Sequence, residues 1–193
     1  MAIDPSRGWD AIAHRFIEVR SGIGAEIVRR WARQLPSGGT VVDVGCGSGK
    51  PISTVLAEEG FEVFGIDASP ALVAEFRRQF PSAEIACEAA QTSDFFRRRF
   101  DGAVAVGLLF LLPANDQRKV IDRVAGALEP GGRFLFSAPR QPCVWDDMLT
   151  GQPSLSLGEE EYQSALEQAG MRLHGHYVDE GQNDYFDAVR TSP

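Results

Sequence analysis

From residue 40 onward the chain alternates between two hydrophobic patterns. Short continuous apolar runs, such as "TVVDVG" from Thr40 and "FEVFGID" from Phe61, are rich in β-branched and aromatic residues. They predict buried strands at 40–45, 61–67, 83–89, 101–107 and 133–139. Between them lie stretches with apolar positions three or four apart, which predict helices over 51–59, 69–80 and 114–128. Local signals support the boundaries. Pro51 and Pro70 stand where a missing N–H costs nothing, Ser69 is placed to cap, and "EPGG" at 129–132 stops the helix before it. After an irregular stretch over 140–157, a helix over 158–169 ends at Gly170. Strands over 171–178 and 184–190 follow, joined by "DEGQN", a loop short enough for a hairpin.

Strands alternating with helices predict a parallel sheet covered on both faces, and the hairpin forces one edge strand to run antiparallel. The fold class is α/β: a doubly wound, mostly parallel Rossmann-like sheet of seven strands with an antiparallel C-terminal edge hairpin. Ahead of it, Ile12, Phe16, Val19, Ile23, Ile27, Val28 and Trp31 recur at helical spacing, with a break expected at "SGIG". No repeat or linker interrupts the chain, so residues 1–193 read as one domain. Residues 1–39 form a helical cap, 40–138 a core, and 139–193 a loop, helix and hairpin.

Composition narrows the classes. At 193 residues, 44% apolar and 24% charged, the chain suits a soluble globular domain. Its longest apolar run, 103–113, is too short to span a bilayer. The first ten residues lack a basic segment followed by an apolar one, so no secretory signal is expected. Cys46, Cys87 and Cys143 have no CxxC spacing, which suggests a reduced, cytoplasmic setting. A net charge of −8 disfavours nucleic acid as a partner. The basic run Arg97, Arg98 and Arg99 reads as a solvated helix end.

The stretch "VVDVGCGSGKP" at 41–51 carries the chemistry. A phosphate-cradling GxxxxGK[ST] loop fails twice, because Val44 stands at its first glycine and Pro51 replaces the hydroxyl. A dinucleotide GxGxxG fails at its third glycine, where Lys50 stands. Asp43 is also unusual, since a carboxylate inside a buried strand needs partners.

"VVDVGCGSG" resembles motif I of the class I S-adenosylmethionine-dependent methyltransferases, and the resemblance extends over about residues 40–138. It implies S-adenosylmethionine as cofactor and S-adenosylhomocysteine as product. Asp43 would lie near the amino-acid end of that ligand, where acids favour its sulfonium and ammonium. Gly45, Cys46, Gly47 and Gly49 would bring backbone close to it. Asp67, ending the second strand, would accept the ribose hydroxyls beside Ala68. Glu88, Ala89 and Ala90 would frame adenine, and Gly107 would face the methyl donor. Phe95 and Phe96 are expected to pack a short helix.

Ligands of doubly wound sheets bind beyond the carboxyl ends of the strands. The segments able to cover that crevice carry Arg20 and Ser21, Phe110, Trp145, Asn183 and Tyr185 as candidate substrate contacts. His14 reads as surface or packed, and Asp179 with Glu180 could be no more than a polar turn. His174 and His176 would share a strand face, but no third ligand is evident, so no metal is expected. No catalytic residue is assigned, because the donor arrives activated. The expected activity is methyl transfer to a small organic acceptor by in-line displacement. The alternatives are a non-catalytic S-adenosylmethionine sensor or partner subunit, and an NAD-dependent oxidoreductase. No membrane partner is expected, and the chain reads as a monomer or homodimer.

Overall fold

The computed structural model describes residues 4–191. Five parallel strands, β1 (Thr40–Val44), β2 (Glu62–Asp67), β3 (Glu84–Cys87), β4 (Phe100–Ala105) and β5 (Leu128–Ser137), form most of the sheet. A separate hairpin of β6 (Cys143–Asp146) and β7 (Pro153–Ser156) follows. Then β8 (Met171–Val178) and β9 (Asp184–Arg190) complete the sheet in the order β3-β2-β1-β4-β5-β9-β8. Strand β9 is antiparallel to both neighbours.

Alternate residues of each strand enter opposite layers, as a period of two requires. Val41, Val63, Val104 and Leu135 pack beneath α2 (Ala25–Ala32) and α3 (Ile52–Glu58). Val42, Phe64, Ala103 and Phe134 pack against α5 (Ala114–Ala127) on the other face, where α6 (Glu159–Gln168) also lies. Both faces being covered is the reason the strands read as continuous apolar runs. The fourth helix, α4 (Pro70–Gln79), starts as expected: the Ser69 hydroxyl accepts from Leu72 N at 3.2 Å.

Chain order reverses at β1. The path steps outward to β2 and β3, then returns to β4 on the other side. The crevice beyond the carboxyl ends of β1 and β4 is therefore left open by the connections.

Four local expectations are revised. The stretch 140–157 is not irregular. Asp147 Oδ1 accepts from Leu149 N, Thr150 N and the Thr150 hydroxyl, closing a turn that lets β6 pair with β7. Gln117 on α5 then clamps this hairpin, its Nε2 donating to Leu155 O at 3.0 Å. "EPGG" does more than stop a helix: β5 begins at Leu128, opposite Phe100, and 129–132 bulge out before Arg133 meets Gly102. Residues 95–97 form a turn with positive φ throughout (50°, 56° and 53°), so Arg97–Arg99 is not a helix end. Aromatic packing offsets the strain, because Phe95 is buried and Phe96 meets Phe64 edge-on at 5.3 Å. Arg98 lies 4.3 Å over the same Phe64 ring. Finally, His174 and His176 do not share a face. Leu173 pairs with Ala188 and His176 with Phe186, and the bulge between them reverses the alternation. His174 is exposed, whereas His176 binds Glu159 at 3.0 Å.

Among the described residues no helix is long and apolar enough to cross a membrane.

Candidate functional site

The glycine loop is built first from backbone. Gly45 N and Cys46 N both donate to Ile66 O, at 2.7 and 3.1 Å, tying the end of β1 to β2. Gly45 (φ 72°), Gly47 (φ 56°) and Gly49 (φ 85°) all take the left-handed conformation that glycine adopts without steric cost. Their surroundings differ. A Cβ on Gly49 would lie 2.3 Å from Phe80 Cε2, so this glycine answers to packing under α4. A Cβ on Gly47 would instead meet Phe16 Cε1 at 3.1 Å, on the side of the crevice.

Two cavities meet in this crevice. The first is lined by Gly45, Gly47, Asp67, Ala68 and Gly107, with Glu88, Ala89 and Ala90 at its far end. The second is lined by Phe110, Trp145, Asn183 and Tyr185. Arg20, Val106 and Gly107 line both and so mark their junction.

Asp67 is more occupied than its position implied. Its Oδ2 accepts from Gly47 N and its Oδ1 from Ser69 N, each at 2.8 Å. Burial pushes its pKa up, and those two amides pull it back. Each oxygen keeps a further lone-pair direction, so the carboxylate braces the glycine loop and still offers acceptors to the cavity.

Asp43, Cys46, Gly49 and Ser21 line neither cavity. Asp43 is buried beneath the loop, where the Ser53 hydroxyl donates to it at 2.6 Å. Cys46 is buried, and a Cβ on Gly65 of β2 would lie 3.0 Å from its sulfur. Ser21 is exposed and accepts from Ile23 N at 3.3 Å, a local turn bond. For Cys46, Gly49 and Ser21 the local bond or packing contact accounts for the residue.

Desolvation pushes the Asp43 pKa from an ordinary 3.8 up to about 7, against the Ser53 hydroxyl and the Arg20 charge. Folded Asp43 thus holds its proton more tightly than the unfolded chain does. Its contribution favours folding below about pH 4 and is lost as pH rises through about 7, by up to roughly 4 kcal/mol. Asp43→Asn is expected to remove that component. Urea unfolding of both proteins at pH 4.5 and 7.5 measures it, and parallel pH dependences would show that Asp43 ionises freely.

Several contributors lie outside the glycine and acid motifs. Asp10 Oδ1 accepts from the Ser69 hydroxyl at 2.6 Å and from Ala71 N at 2.9 Å. This anchors the N-terminal segment to the start of α4. Trp9 and Phe16, in edge contact at 5.3 Å, then cover the first cavity. The apolar spacing that carries Phe16 was visible, but nothing local marks Asp10 as the anchor. Ser137 at the end of β5 is similar: its hydroxyl accepts from Gly107 N at 2.8 Å, fixing the turn after β4.

The second cavity is assembled from three distant segments. The break between α1 (Ala13–Val19) and α2 presents Arg20. Gly24 in that break (φ 88°) is needed twice, since a Cβ there would lie 2.3 Å from the Tyr185 hydroxyl. Asp179 accepts from Gly181 N, Asn183 N, Asn183 Nδ2 and the Tyr185 hydroxyl, which both builds the β8–β9 turn and orients Tyr185. Trp145 of β6 meets Phe110 at 5.4 Å, bringing the hairpin over the mouth.

The first cavity suits the ligand that motif I implies. Left-handed glycines leave a cradle that a side chain would fill, a half-buried acid stands at the end of β2, and Trp9, Phe16, Ile66, Leu72, Leu108 and Leu111 supply an apolar part of the wall. A nucleoside with a cationic centre meets complementary groups on each part.

Comparisons agree. The family model described as "Methyltransferase domain" matches residues 14–180. An O-methyltransferase of Penicillium expansum, cnsE, is 28% identical over 81% of this chain and 61% of its own length. A trans-aconitate 2-methyltransferase of Methylobacterium radiotolerans is 31% identical over 68% of this chain and 49% of its own. The chain thus spans about half to three fifths of the length of these relatives. Among solved structures, a Burkholderia thailandensis 1,6-didemethyltoxoflavin-N1-methyltransferase with bound S-adenosylhomocysteine superposes with a TM-score of 0.75. It is 18% identical, and the match covers 100% of this chain and 92% of that one, a likeness of fold.

Proposed function

Because the chain belongs to the class I S-adenosylmethionine-dependent methyltransferases, we propose that it transfers a methyl group to a small organic acceptor held in the second cavity. The observation that carries this reading is the junction. A cavity shaped for the cofactor opens into one lined by aromatic and amide side chains, and they share Arg20, Val106 and Gly107.

When bound, S-adenosylmethionine supplies a methyl group already activated by its sulfonium. The chain's own work is to bind, align and keep water out. Gly45 and Gly47 offer backbone without Cβ atoms, Asp67 accepts from hydroxyls, and Ala89 and Ala90 leave room for a flat base. Trp9 and Phe16 close the cavity from above, held by Asp10. Phe110, Trp145 and Tyr185 position the acceptor opposite the junction. Orientation of this kind supplies roughly 7–11 kcal/mol of a bimolecular barrier, so the residues need no covalent role.

Calorimetry with S-adenosylhomocysteine should give saturable binding at micromolar to millimolar ligand. A panel of carboxylates, phenols, thiols and amines should then yield at least one methylated product. Absence of binding at millimolar ligand rejects the cofactor site. Binding without transfer to any acceptor favours a non-catalytic sensor.

A further inference from the structure

Among the described residues, Arg20 has no salt-bridge partner. It is half-buried at the junction. Among the described residues no carboxylate lies within ion-pair distance of its guanidinium, and no hydrogen bond from it is formed; Phe16, 6.0 Å away, is its aromatic neighbour. The acids that feel its charge are engaged elsewhere. Asp43 accepts from Ser53 and is easily protonated near neutral pH. Asp179 is saturated by the β8–β9 turn and the Tyr185 hydroxyl. Desolvating a cation without a partner is costly, and a planar guanidinium pairs best with a carboxylate.

The second cavity adds two constraints. It holds no imidazole and no lysine among its lining residues. His14 and His174 are exposed, and His176 is bound to Glu159. Tyr185 donates to Asp179, and burial holds its phenol well above the ordinary range, so it is a poor base. The one acid in the lining, Asp184, is half-buried, and its Oδ2 accepts from Arg140 N at 3.4 Å. A hydroxyl or ammonium acceptor would need a base here, and an ammonium would also be repelled by Arg20. Second, the volume is about 270 Å³, near the low end for ligand pockets. With Phe110 and Trp145 as one wall, it takes a single flat ring or a short unsaturated chain.

We propose that the acceptor is a small planar carboxylic acid, that Arg20 holds its carboxylate at the junction of the two cavities, and that the product is its methyl ester. This deepens the methyltransferase reading and rests on it. A carboxylate is already ionised at neutral pH. One of its oxygens shares an electron pair with the donor's methyl carbon while the carbon–sulfur pair stays on sulfur. A neutral ester and a neutral thioether result, and no proton changes place. Arg20 thus selects the acceptor and positions its oxygen, and loses its counter-ion when the ester forms, which assists release.

The test uses the full chain saturated with S-adenosylhomocysteine. Benzoate, phenylacetate and cinnamate are titrated calorimetrically, each against its uncharged amide. At least one acid should bind ten times or more tightly than its amide. Arg20→Met should abolish that preference and change S-adenosylhomocysteine affinity by less than threefold, and Arg20→Lys, retaining a charge, should keep part of it. Should Arg20→Met fail to fold, the acid-against-amide ratio in the unaltered protein and in Arg20→Lys still decides. Equal binding of acids and amides overturns the proposal, as does an acid preference that survives Arg20→Met. A tenfold loss of S-adenosylhomocysteine affinity in Arg20→Met also overturns it, because Arg20 would then serve the cofactor's own carboxylate. Each of these leaves the methyltransferase reading intact. Failure of the unaltered protein to bind S-adenosylhomocysteine is the separate result that removes both.

Discussion

Asp67→Ala is expected to weaken S-adenosylhomocysteine binding about a hundredfold or more. The side chain has two functions, and alanine removes both. It accepts from Gly47 N and Ser69 N at 2.8 Å, bracing the loop that forms the cradle. It also presents its remaining acceptor capacity to the first cavity. Each stranded amide costs roughly 1–3 kcal/mol unless water reaches it, and tenfold in affinity corresponds to about 1.4 kcal/mol. Loss of the hydroxyl contacts adds to this. Asp67→Asn should fall between, because its carbonyl oxygen satisfies one amide while its NH₂ faces the other. Calorimetry gives the affinities and thermal melting reports any effect on the fold. An alanine variant that binds within threefold of the unaltered protein would place the ribose elsewhere.

Gly47→Val should eliminate measurable binding with only a modest loss of stability. At φ 56° a β-branched residue is strained. Its Cβ would press on Phe16 Cε1 from 3.1 Å, displacing the cap that covers the cavity. The comparison that isolates the cradle is Gly49→Ala, two residues on. There the new Cβ runs into Phe80 at 2.3 Å and Phe76 at 3.0 Å, away from the cavity. Left-handed backbone and overpacking together put its cost at about 2–4 kcal/mol of folding stability. The two substitutions should therefore separate, one striking binding and the other striking the melting temperature. If both proteins bind equally well, the loop backbone does not approach the ligand at Gly47.

This contrast shows how far motif spacing reaches. "GCGSG" announces a tight turn after a buried strand, because three alternating glycines are otherwise an entropic cost. It does not say that Gly49 turns toward α4 while Gly47 turns toward the crevice. Likewise an in-strand acid at Asp43 signals an unusual demand, yet its partner is Ser53 on α3 and it lines neither cavity of the crevice. Asp10 leaves no local signature because its partners, Ser69 and Ala71, lie about sixty positions away and form an ordinary helix start of their own. The β6–β7 hairpin is illegible in the sequence for another reason. Its strands are only four residues each, and the contacts that hold them come from Gln117 and Phe110, outside the hairpin.

The alternation of strands and helices in the main sheet, the parallel core with its reversed edge, and the glycine turn after β1 follow from residue pattern alone. Burial on two faces, helix starts and left-handed turns leave periodic or local signatures, and a linear string preserves those. Which residues converge was settled only when the chain closed. Arg20, Gly107, Trp145 and Tyr185 meet because the strand order reverses at β1 and because Gly24 lets the cap approach Tyr185. Such contacts join segments far apart along the chain, and side-chain direction there depends on packing that no short window contains.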